Sequence, residues 1–404
     1  MYFSLSWRNI WRNKKRTIIV ASSVFFAVIL AAVMRSAQLG SYSYMIDSSA
    51  KLFTGHLQIQ GEQYWDKRSL DESIHIDRLT MDSISATAHV RHITPRLEVF
   101  ALVSHRTSTK VSQVIGVDPL NEDQMTGVKE RLVSGTYIDE ESKGLLIGSG
   151  LAKMLKAAVG DSIVLYGQGY HGQIAAAITP IIGIIKLPFK AMDNGMVLLP
   201  LAYAQEIFSC PSRITSLPIL VENIRFLDDV EQSLHPYLKS DQRMMAWNEM
   251  MPDLEQSIEV DNVSGIIMLA ILYIVIAFGV FGTIMMMVSE RAKEFAILIS
   301  VGMKKRRLLL VLILETFMVS FVGVVIGIVA SIPVILYLVN NPIQLGGEMA
   351  ELYDQLSIEP ILNFSAEPWI FVSQALVVLI IAFVTVIYPL LFIRRLDPAK
   401  TIRG

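Results

Sequence analysis

The residues most suited to chemistry form a charged cluster late in the chain. Glu290 and Glu294 are four residues apart, Arg291 lies between them, and Leu298 and Gly302 continue the spacing. Residues spaced in this way share one face of a helix. A short helix here would offer carboxylates, a cation and an apolar side chain to a partner protein, which is contact chemistry and not catalysis. A solvated loop is the alternative, but it does not explain the regular offsets.

A lone carboxylate, Glu315, lies about two helical turns inside a long apolar run. An ionised group at that depth in a membrane is costly unless it is paired or lies near the interface. Two interpretations therefore stay open. Glu315 forms a structural ion pair that transmits motion from a partner, or its side chain extends to the lipid headgroups.

Other reactive groups are too scattered to form a site. The histidines show no i, i+4 pair and no nearby cysteine, so a metal site is not expected. Residues 148–150 with Lys153 lack the spacing of a phosphate-binding loop, and no G-x-S-x-G motif is present. The single cysteine, Cys210, excludes an intrachain disulfide. The sequence therefore predicts no enzyme activity, no bound cofactor or metal, and no nucleic-acid partner.

The elements that position this cluster are membrane spans. The chain has 404 residues, of which 52% are hydrophobic and only 18% charged, and its mean hydropathy is +0.48. The fold class predicted is a membrane protein with four transmembrane α-helices in a 1+3 layout and a large α+β extracytoplasmic domain between helices 1 and 2. The predicted segments are an elbow helix (1–16), a first span (17–35), the domain (36–262), a second span (263–288), a cytoplasmic loop (289–307), a third span (308–339), a short extracytoplasmic loop (340–368), a fourth span (369–393) and a cytoplasmic tail (394–404).

Short charged segments give the orientation. The N-terminal segment, the 289–307 loop and the C-terminal tail are rich in lysine and arginine. Residues 340–368 carry five acidic residues and no Lys or Arg. Because basic segments stay in the cytoplasm, both termini and the 289–307 loop are predicted to be cytoplasmic. Residues 36–262 then lie on the opposite, extracytoplasmic side of the membrane, together with the acidic loop.

An amphipathic stretch precedes the first span. Phe3, Trp7, Ile10 and Trp11 share one helical face, with cations on the opposite side. This pattern favours an elbow lying in the membrane interface. A plain basic cluster before a span is the alternative, but it does not require aromatic spacing.

The large domain shows alternating strand and helix patterns. A helix is expected to continue from the first span through residues 39–52, and two strands at 97–104 and 110–117 are expected to pair as a hairpin. A helix at 148–156 and further strands favour an α+β domain of two subdomains. Residues 167–173 carry three glycines and form either a flexible carrier-recruiting loop or a hairpin tip.

Several motifs now resemble one family. The loop sequence SERAKEFAIL at 289–298 followed by Gly302 is similar to the E-R-x-x-E-x-x-x-L-x-x-x-G pattern of FtsX-like ABC permeases. The tail at 388–398 resembles that family's C-terminus. Residues 114–119 (VIGVDP) and 247–252 resemble its MacB-like periplasmic core domain. The order of these motifs most resembles the lipoprotein-releasing LolC/LolE-type permeases.

This resemblance implies a mechanism and partners. The chain would be a permease acting by mechanotransmission, in a dimer with an identical or homologous second permease. Two copies of a separate ABC ATPase, which bind ATP and Mg, would dock on Glu290, Arg291, Glu294, Leu298 and Gly302. A periplasmic lipoprotein carrier and membrane lipids complete the expected partners.

Lipoprotein extraction needs an apolar cavity that shields acyl chains. The candidate lining residues lie on the first two spans: Phe26, Leu30, Val33, Met34, Ile267, Leu269 and Leu272. Ordinary lipid-facing or helix-packing surface is the alternative for each. MacB-like export of peptides or small molecules and FtsX-like control of a cell-wall hydrolase remain alternative functions.

Overall fold

The structure is a computed structural model that describes residues 7, 8, 10–12, 14–52, 54–347, 361–387, 391 and 393. These residues form two compact units. The helical unit lies within Met1–Tyr42, Ser257–Leu345 and Ile361–Gly404, and the sheet unit lies within Ser43–Gln256 and Gly346–Pro360. Phe3 of the predicted elbow and the predicted tail at 394–404 fall outside the described residues.

Long and short helices alternate with strands along the described chain. The α-helices are α1 (Lys14–Leu52), α2 (Tyr64–Lys67), α3 (Arg78–Ser85), α4 (Pro119–Thr126), α5 (Ser149–Leu155), α6 (Lys190–Asp193), α7 (Leu201–Ile207), α8 (Leu227–Leu234), α9 (Trp247–Met250), α10 (Pro252–Glu290), α11 (Ala292–Ser300), α12 (Lys305–Asn340) and α13 (Pro368–Thr385). Single turns of 3-10 helix lie at Leu70–Glu72, Val128–Arg131, Tyr170–Gly172, Ile224–Phe226 and His235–Tyr237.

Among the described residues, four helices are long and apolar enough to cross a membrane: α1, α10, α12 and α13. The first of them, α1, has 39 residues, which at 1.5 Å per residue is about 58 Å. A bilayer core is only about 30 Å thick. This helix therefore continues well beyond an apolar span, and the predicted extension through residues 39–52 is confirmed.

Two helices of the helical unit approach each other at glycines. A Cβ atom on Gly323 of α12 would lie 2.8 Å from the carbonyl oxygen of Ala21 and 2.9 Å from the Cβ of Val24. One on Gly327 would lie 2.9 Å from the Cβ of Val28. The G-x-x-x-G spacing on α12 thus lets its backbone pack closely against α1, as small residues do in membrane helix pairs.

The sheet unit is built on one eleven-stranded sheet. Its strands are β1 (Leu57–Gly61), β2 (Val90–Ile93), β3 (Arg96–His105), β4 (Ser108–Val117), β5 (Leu132–Gly135), β6 (Leu145–Gly148), β7 (Ser162–Gln168), β8 (Ile174–Ile185), β9 (Met196–Pro200), β10 (Ser216–Val221) and β11 (Gln242–Ala246). The order is β11-β1-β10-β3-β4-β9-β6-β8-β5, with β2 paired to β10 and β7 paired to β3 and β8. Two short strands, β12 (Ile343–Gln344) and β13 (Ile361–Leu362), pair separately.

Local predictions for this domain hold. Strands β3 and β4 form the expected antiparallel hairpin, with a turn at residues 106–107. The helix predicted at 148–156 is α5. Residues 167–173 form the tip of the β7–β8 hairpin around the turn Tyr170–Gly172, which favours the hairpin interpretation of that segment.

The predicted division into two subdomains falls inside the sheet unit and stays a prediction. Strand β10 pairs with both β1 and β3 and so joins the two halves in one sheet. Separate hydrophobic cores nevertheless lie in the two halves, one around Leu97 and Leu151 and another around Leu57 and Leu234.

Candidate functional site

Part of the charged cluster folds as a short helix: Glu294 and Leu298 lie in α11, whereas Glu290 ends α10, and Arg291 and Gly302 flank α11. Helix α10 ends at Glu290, α11 follows at once, and α12 begins at Lys305. Arg291 lies at the break, with φ −95° and ψ 4°. The predicted loop is therefore mostly helical, and two tight breaks hold α11 between the long helices.

Arg291 and Glu315 form a buried ion pair. The Nη1 atom of Arg291 lies 2.9 Å from both carboxylate oxygens of Glu315. Their side chains are only 4% and 5% exposed. Of the two interpretations of Glu315, the structure has the ion pair, and it links the start of α11 directly to α12.

The inner face of α11 packs into the core of the helical unit. Phe295 and Ala296 are buried, and Phe295 shares a hydrophobic cluster with Val24 of α1, Ile284 of α10 and Val378 of α13. The guanidinium of Arg291 also lies over the ring of Phe295, 5.0 Å from its centroid. A displacement of α11 must therefore be felt by the long helices, because close-packed cores transmit strain.

The outer face of α11 is apolar and exposed. Ile297 and Leu298 project outward, and Val301 just beyond the helix is 82% exposed. The carboxylate of Glu294 lies on the exposed side as well and is 3.3 Å from the Nε atom of Arg291. An exposed apolar patch with a charged edge is typical of a protein-binding surface.

Part of the predicted elbow lies against this helix. Trp7 and Trp11 are exposed and pack edge to face, with ring centroids 6.2 Å apart. Arg12 approaches Glu294 at 3.7 Å. That ion pair is exposed at both ends, so it contributes little to stability, but it places the cationic side of the elbow beside the candidate docking surface.

Gly302 terminates α11 in a Schellman motif. Its N–H donates to the carbonyl of Ile299 at 3.0 Å, and the N–H of Met303 donates to the carbonyl of Leu298 at 3.0 Å. The backbone of Gly302 has φ +104°, a conformation that side chains rarely adopt. The glycine is therefore needed for the turn, whatever partner binds nearby.

Gly302→Ala is expected to loosen the end of α11. A Cβ atom at this backbone conformation costs about 1–2 kcal/mol, although no atom lies within 4 Å of its position. Amide hydrogen exchange at Val301, Gly302 and Met303 should then accelerate by roughly 5- to 30-fold in the purified chain. The matched control is Gly282→Ala in α10, where a Cβ also meets open space. Unchanged exchange in Gly302→Ala would show that the motif does not limit opening of this turn.

Family models match most of the chain in the expected order. The MacB-like periplasmic core domain matches residues 17–235, which is more than half of the sequence. The C-terminal domain of FtsX-like permeases matches residues 266–398 and includes the whole of α11. This chain is an FtsX-like ABC transporter permease. The permease thus has both the periplasmic core domain and the membrane region that its motifs predict.

Curated relatives of the permease include lipoprotein-releasing proteins. It is 24% identical over 353 residues to the lipoprotein-releasing system transmembrane protein LolE of Haemophilus influenzae, covering 82% of this chain and 81% of that protein. It is 22% identical over 307 residues to LolC of Xylella fastidiosa, covering 71% and 72%.

Solved structures of related domains are also similar to parts of the permease. The periplasmic region of MacB from Actinobacillus actinomycetemcomitans aligns with a TM-score of 0.34 at 15% identity, covering 49% of this chain and 92% of that one. The extracellular domain of the transporter YknZ from Gram-positive bacteria aligns with a TM-score of 0.34 at 10% identity, covering 47% and 98%.

The predicted cavity residues of the permease differ in exposure. Phe26, Leu30 and Ile267 are exposed, and Met34 and Leu272 are half-buried. Val33 packs against a small cluster of Ala32, Ile335 and Phe371. Leu269 is only 6% exposed and lies about 200° around α10 from exposed residue 267, so its role as a lining residue stays a prediction.

A polar cluster that the sequence reasoning missed joins α1 to α10. The Nη1 atom of Arg35 donates to the side-chain oxygens of Gln38 at 2.6 Å and Asn262 at 3.0 Å. The Tyr42 hydroxyl donates to the Asp261 carboxylate at 2.7 Å. The sequence carried one indication of this cluster: in both helices, polar residues begin where the apolar run ends. This cluster joins α1 directly to α10 through side-chain hydrogen bonds.

Two other features singled out by sequence have structural roles. The backbone N–H groups of Ser149 and Gly150 donate to the Asp193 carboxylate at 3.0 and 2.8 Å, so this glycine turn already holds an anion. Cys210 is buried 3.6 Å from the Ser73 hydroxyl, and burial raises the pKa of its thiol. Within the described part of the chain, no three His, Cys, Asp or Glu side chains are grouped to hold a metal ion.

Proposed function

We propose that this permease extracts lipoproteins from the outer leaflet of the bacterial inner membrane and passes them to a periplasmic carrier. The observation that carries the proposal is the relationship to LolE over four-fifths of both chains. The similarity covers both the helical unit and the sheet unit. It therefore applies to the whole permease chain and not to one domain. In this proposal both termini are cytoplasmic, the sheet unit is periplasmic, and the spans have a 1+3 layout.

Docking of a separate ATPase on α11 drives the cycle. The exposed apolar residues Ile297, Leu298 and Val301 beside Glu294 support this assignment, because the described residues of the helical unit leave this surface exposed. Two ATPase copies bind ATP and Mg, so the permease itself needs neither. Its part is to convert closure of the ATPase dimer into movement of the long helices.

The contacts of α11 suggest how that movement travels. The Arg291–Glu315 pair links α11 to α12, and Phe295 links it to α1, α10 and α13. The Arg35 cluster then ties α1 to α10 near the sheet unit's end of both helices. A pull on α11 is thus passed along rigid helices to the periplasmic side.

A second permease, identical or homologous, completes the proposed assembly. In the most apolar 18-residue stretch of α10, only 11% is buried within the described part of the chain. That surface is free to contact lipid, acyl chains or a partner helix. Phe26, Leu30 and Ile267 would then face the lipid-open side of a cavity between the two permeases.

The energetics require a machine of this kind. Moving acyl chains into water costs about 0.8 kcal/mol per methylene, or about 36 kcal/mol for three chains of roughly fifteen carbons. Unassisted release is therefore excluded. The proposal therefore includes three parts that together offset this free-energy cost: work from ATP, an apolar cavity and a carrier.

Purification of the permease with its cognate ATPase in native-lipid nanodiscs tests the proposal. Without nucleotide, mass spectrometry should find triacylated lipoproteins enriched on the complex, and ATP should release them. ADP serves as the control and should leave them bound. Recovery of bulk phospholipid alone, with ATPase activity insensitive to added lipoprotein, would contradict extraction. That result would favour MacB-like export or control of a cell-wall hydrolase.

A further inference from the structure

A pocket in the sheet unit combines two cations with an apolar wall. It has a volume of about 330 Å³ and lies between the C-terminal end of α1 and the segments that follow α4 and β8. Lys51 of α1 and Arg131 line it from opposite elements. This volume is at the lower end of those that hold small molecules in proteins.

The residues that line this pocket do not neutralise the positive charges of Lys51 and Arg131. None of its lining residues is acidic. The Nε atom of Arg131 is buried and has no hydrogen-bond partner within the described part of the chain. A buried donor without a partner is destabilising, and more so when the group is charged. The pocket is therefore electrostatically suited to an anion.

Hydroxyl groups surround the two cations. Ser48 and Ser49 lie on the same helix as Lys51, and Thr126 lies at the end of α4. Hydroxyls donate to phosphate or carboxylate oxygens without adding charge. Lys51 and Ser48 are three residues apart, so both project from one side of α1.

The remaining wall is apolar, which a free inorganic anion would not need. Leu52, Phe189 and Leu254 come from three separate elements and meet at this pocket. An occupant that satisfies both parts has a negatively charged head and a hydrocarbon portion. The area of apolar contact would add to binding, because it removes hydrocarbon from water.

We propose that this pocket binds an anionic lipid, with its phosphate between Lys51 and Arg131 and part of an acyl chain against Phe189 and Leu254. The site is distinct from the candidate cavity of the first two spans, and its existence does not depend on lipoprotein extraction. A bound lipid would bridge the end of α1 to the sheet unit's loops. Occupancy would then stabilise this end of α1 by mass action.

Photo-crosslinking of the full-length permease tests the site directly. The probe is phosphatidylglycerol with a diazirine in its acyl chain, included at low density in phosphatidylcholine nanodiscs, without ATPase. Peptide mapping should place a crosslink at Phe189 or Leu254. Lys51→Gln/Arg131→Gln should reduce that crosslink at least fivefold. The control Lys110→Gln/Lys153→Gln removes two exposed cations of the same unit and should leave it unchanged.

Competition separates the possible ligands. Excess unlabelled phosphatidylglycerol should remove the crosslink, whereas phosphatidylcholine should not. Equal competition by phosphatidylcholine, or equal crosslinking in Lys51→Gln/Arg131→Gln, would overturn the proposal. Equal competition by glycerol phosphate would also overturn it, because the site would then hold a free phosphate and not a lipid. Circular dichroism and elution volume of the variant confirm that any loss is not unfolding.

Discussion

Glu315→Leu is expected to destabilise the permease by about 3–5 kcal/mol, because the Arg291 guanidinium would stay buried without its counter-charge. Both side chains are almost fully buried, and a single guanidinium nitrogen, Nη1 of Arg291, lies 2.9 Å from both carboxylate oxygens of Glu315. The change should appear as a lower free energy of unfolding in nanodiscs, followed by tryptophan fluorescence. Glu294 still approaches the Nε atom of Arg291 at 3.3 Å, but its side chain is 51% exposed, so it does not replace the buried carboxylate.

A second variant separates stability from coupling. Replacing a buried ion pair by apolar residues of similar size is often neutral, so Arg291→Met/Glu315→Leu should regain most of the lost stability. ATP-driven release should nevertheless stay low, because the charged link between α11 and α12 is gone. Full activity in the double variant would show that the pair only supports folding.

An exposed carboxylate provides the matched control for Glu315. Glu294→Leu removes a group that also approaches Arg291, at 3.3 Å, but whose side chain is 51% exposed. Its expected effect on unfolding is below about 1 kcal/mol. If Glu315→Leu were no more destabilising than Glu294→Leu, the buried pair would not be formed in the native permease.

Local elements could be read from the sequence because each carries its own periodicity. The apolar runs predict the four long helices, and four-residue spacing at Glu290 and Glu294 predicts α11. Alternation around the turn at residues 106–107 predicts the β3–β4 hairpin. Strand order could not be read in this way. The parallel pairing of β4 with β9 joins residues 113–117 to 196–200, and nothing local specifies that partner.

The candidate site shows the same limit. Sequence identified Glu315 as an unusual carboxylate but could not choose its partner, since Arg291 is 24 residues away on another helix. The burial of Leu269 could not be read from the sequence either, because it depends on which side of α10 faces the other helices. The α1–α10 polar cluster had a sequence signal in the polar residues that begin where each apolar run ends. The glycines of α12 had one in their G-x-x-x-G motif. Neither signal identifies a contact until the partner helix is known.

Gly323→Leu is expected to force α12 away from α1. The new Cβ would lie 2.8 Å from the Ala21 carbonyl oxygen and 2.9 Å from the Cβ of Val24, and the rest of the side chain would have no space. Overpacking of this kind costs about 1–3 kcal/mol. Because one of the contacts is backbone, side-chain rearrangement alone cannot relieve it. Gly327→Leu should act in the same direction through Val28.

The chain offers a control in which the same substitution should have the opposite sign. A Cβ on Gly279 of α10 meets nothing within 4 Å. Leucine exceeds glycine in helix propensity by up to about 1 kcal/mol, so Gly279→Leu should be neutral or slightly stabilising in the purified permease. Unfolding in nanodiscs should therefore rank Gly323→Leu below wild type and Gly279→Leu at or above it. Equal behaviour of the two variants would mean that α1 and α12 do not meet at Gly323. The loss of that contact would also remove the route by which movement of α12 reaches α1.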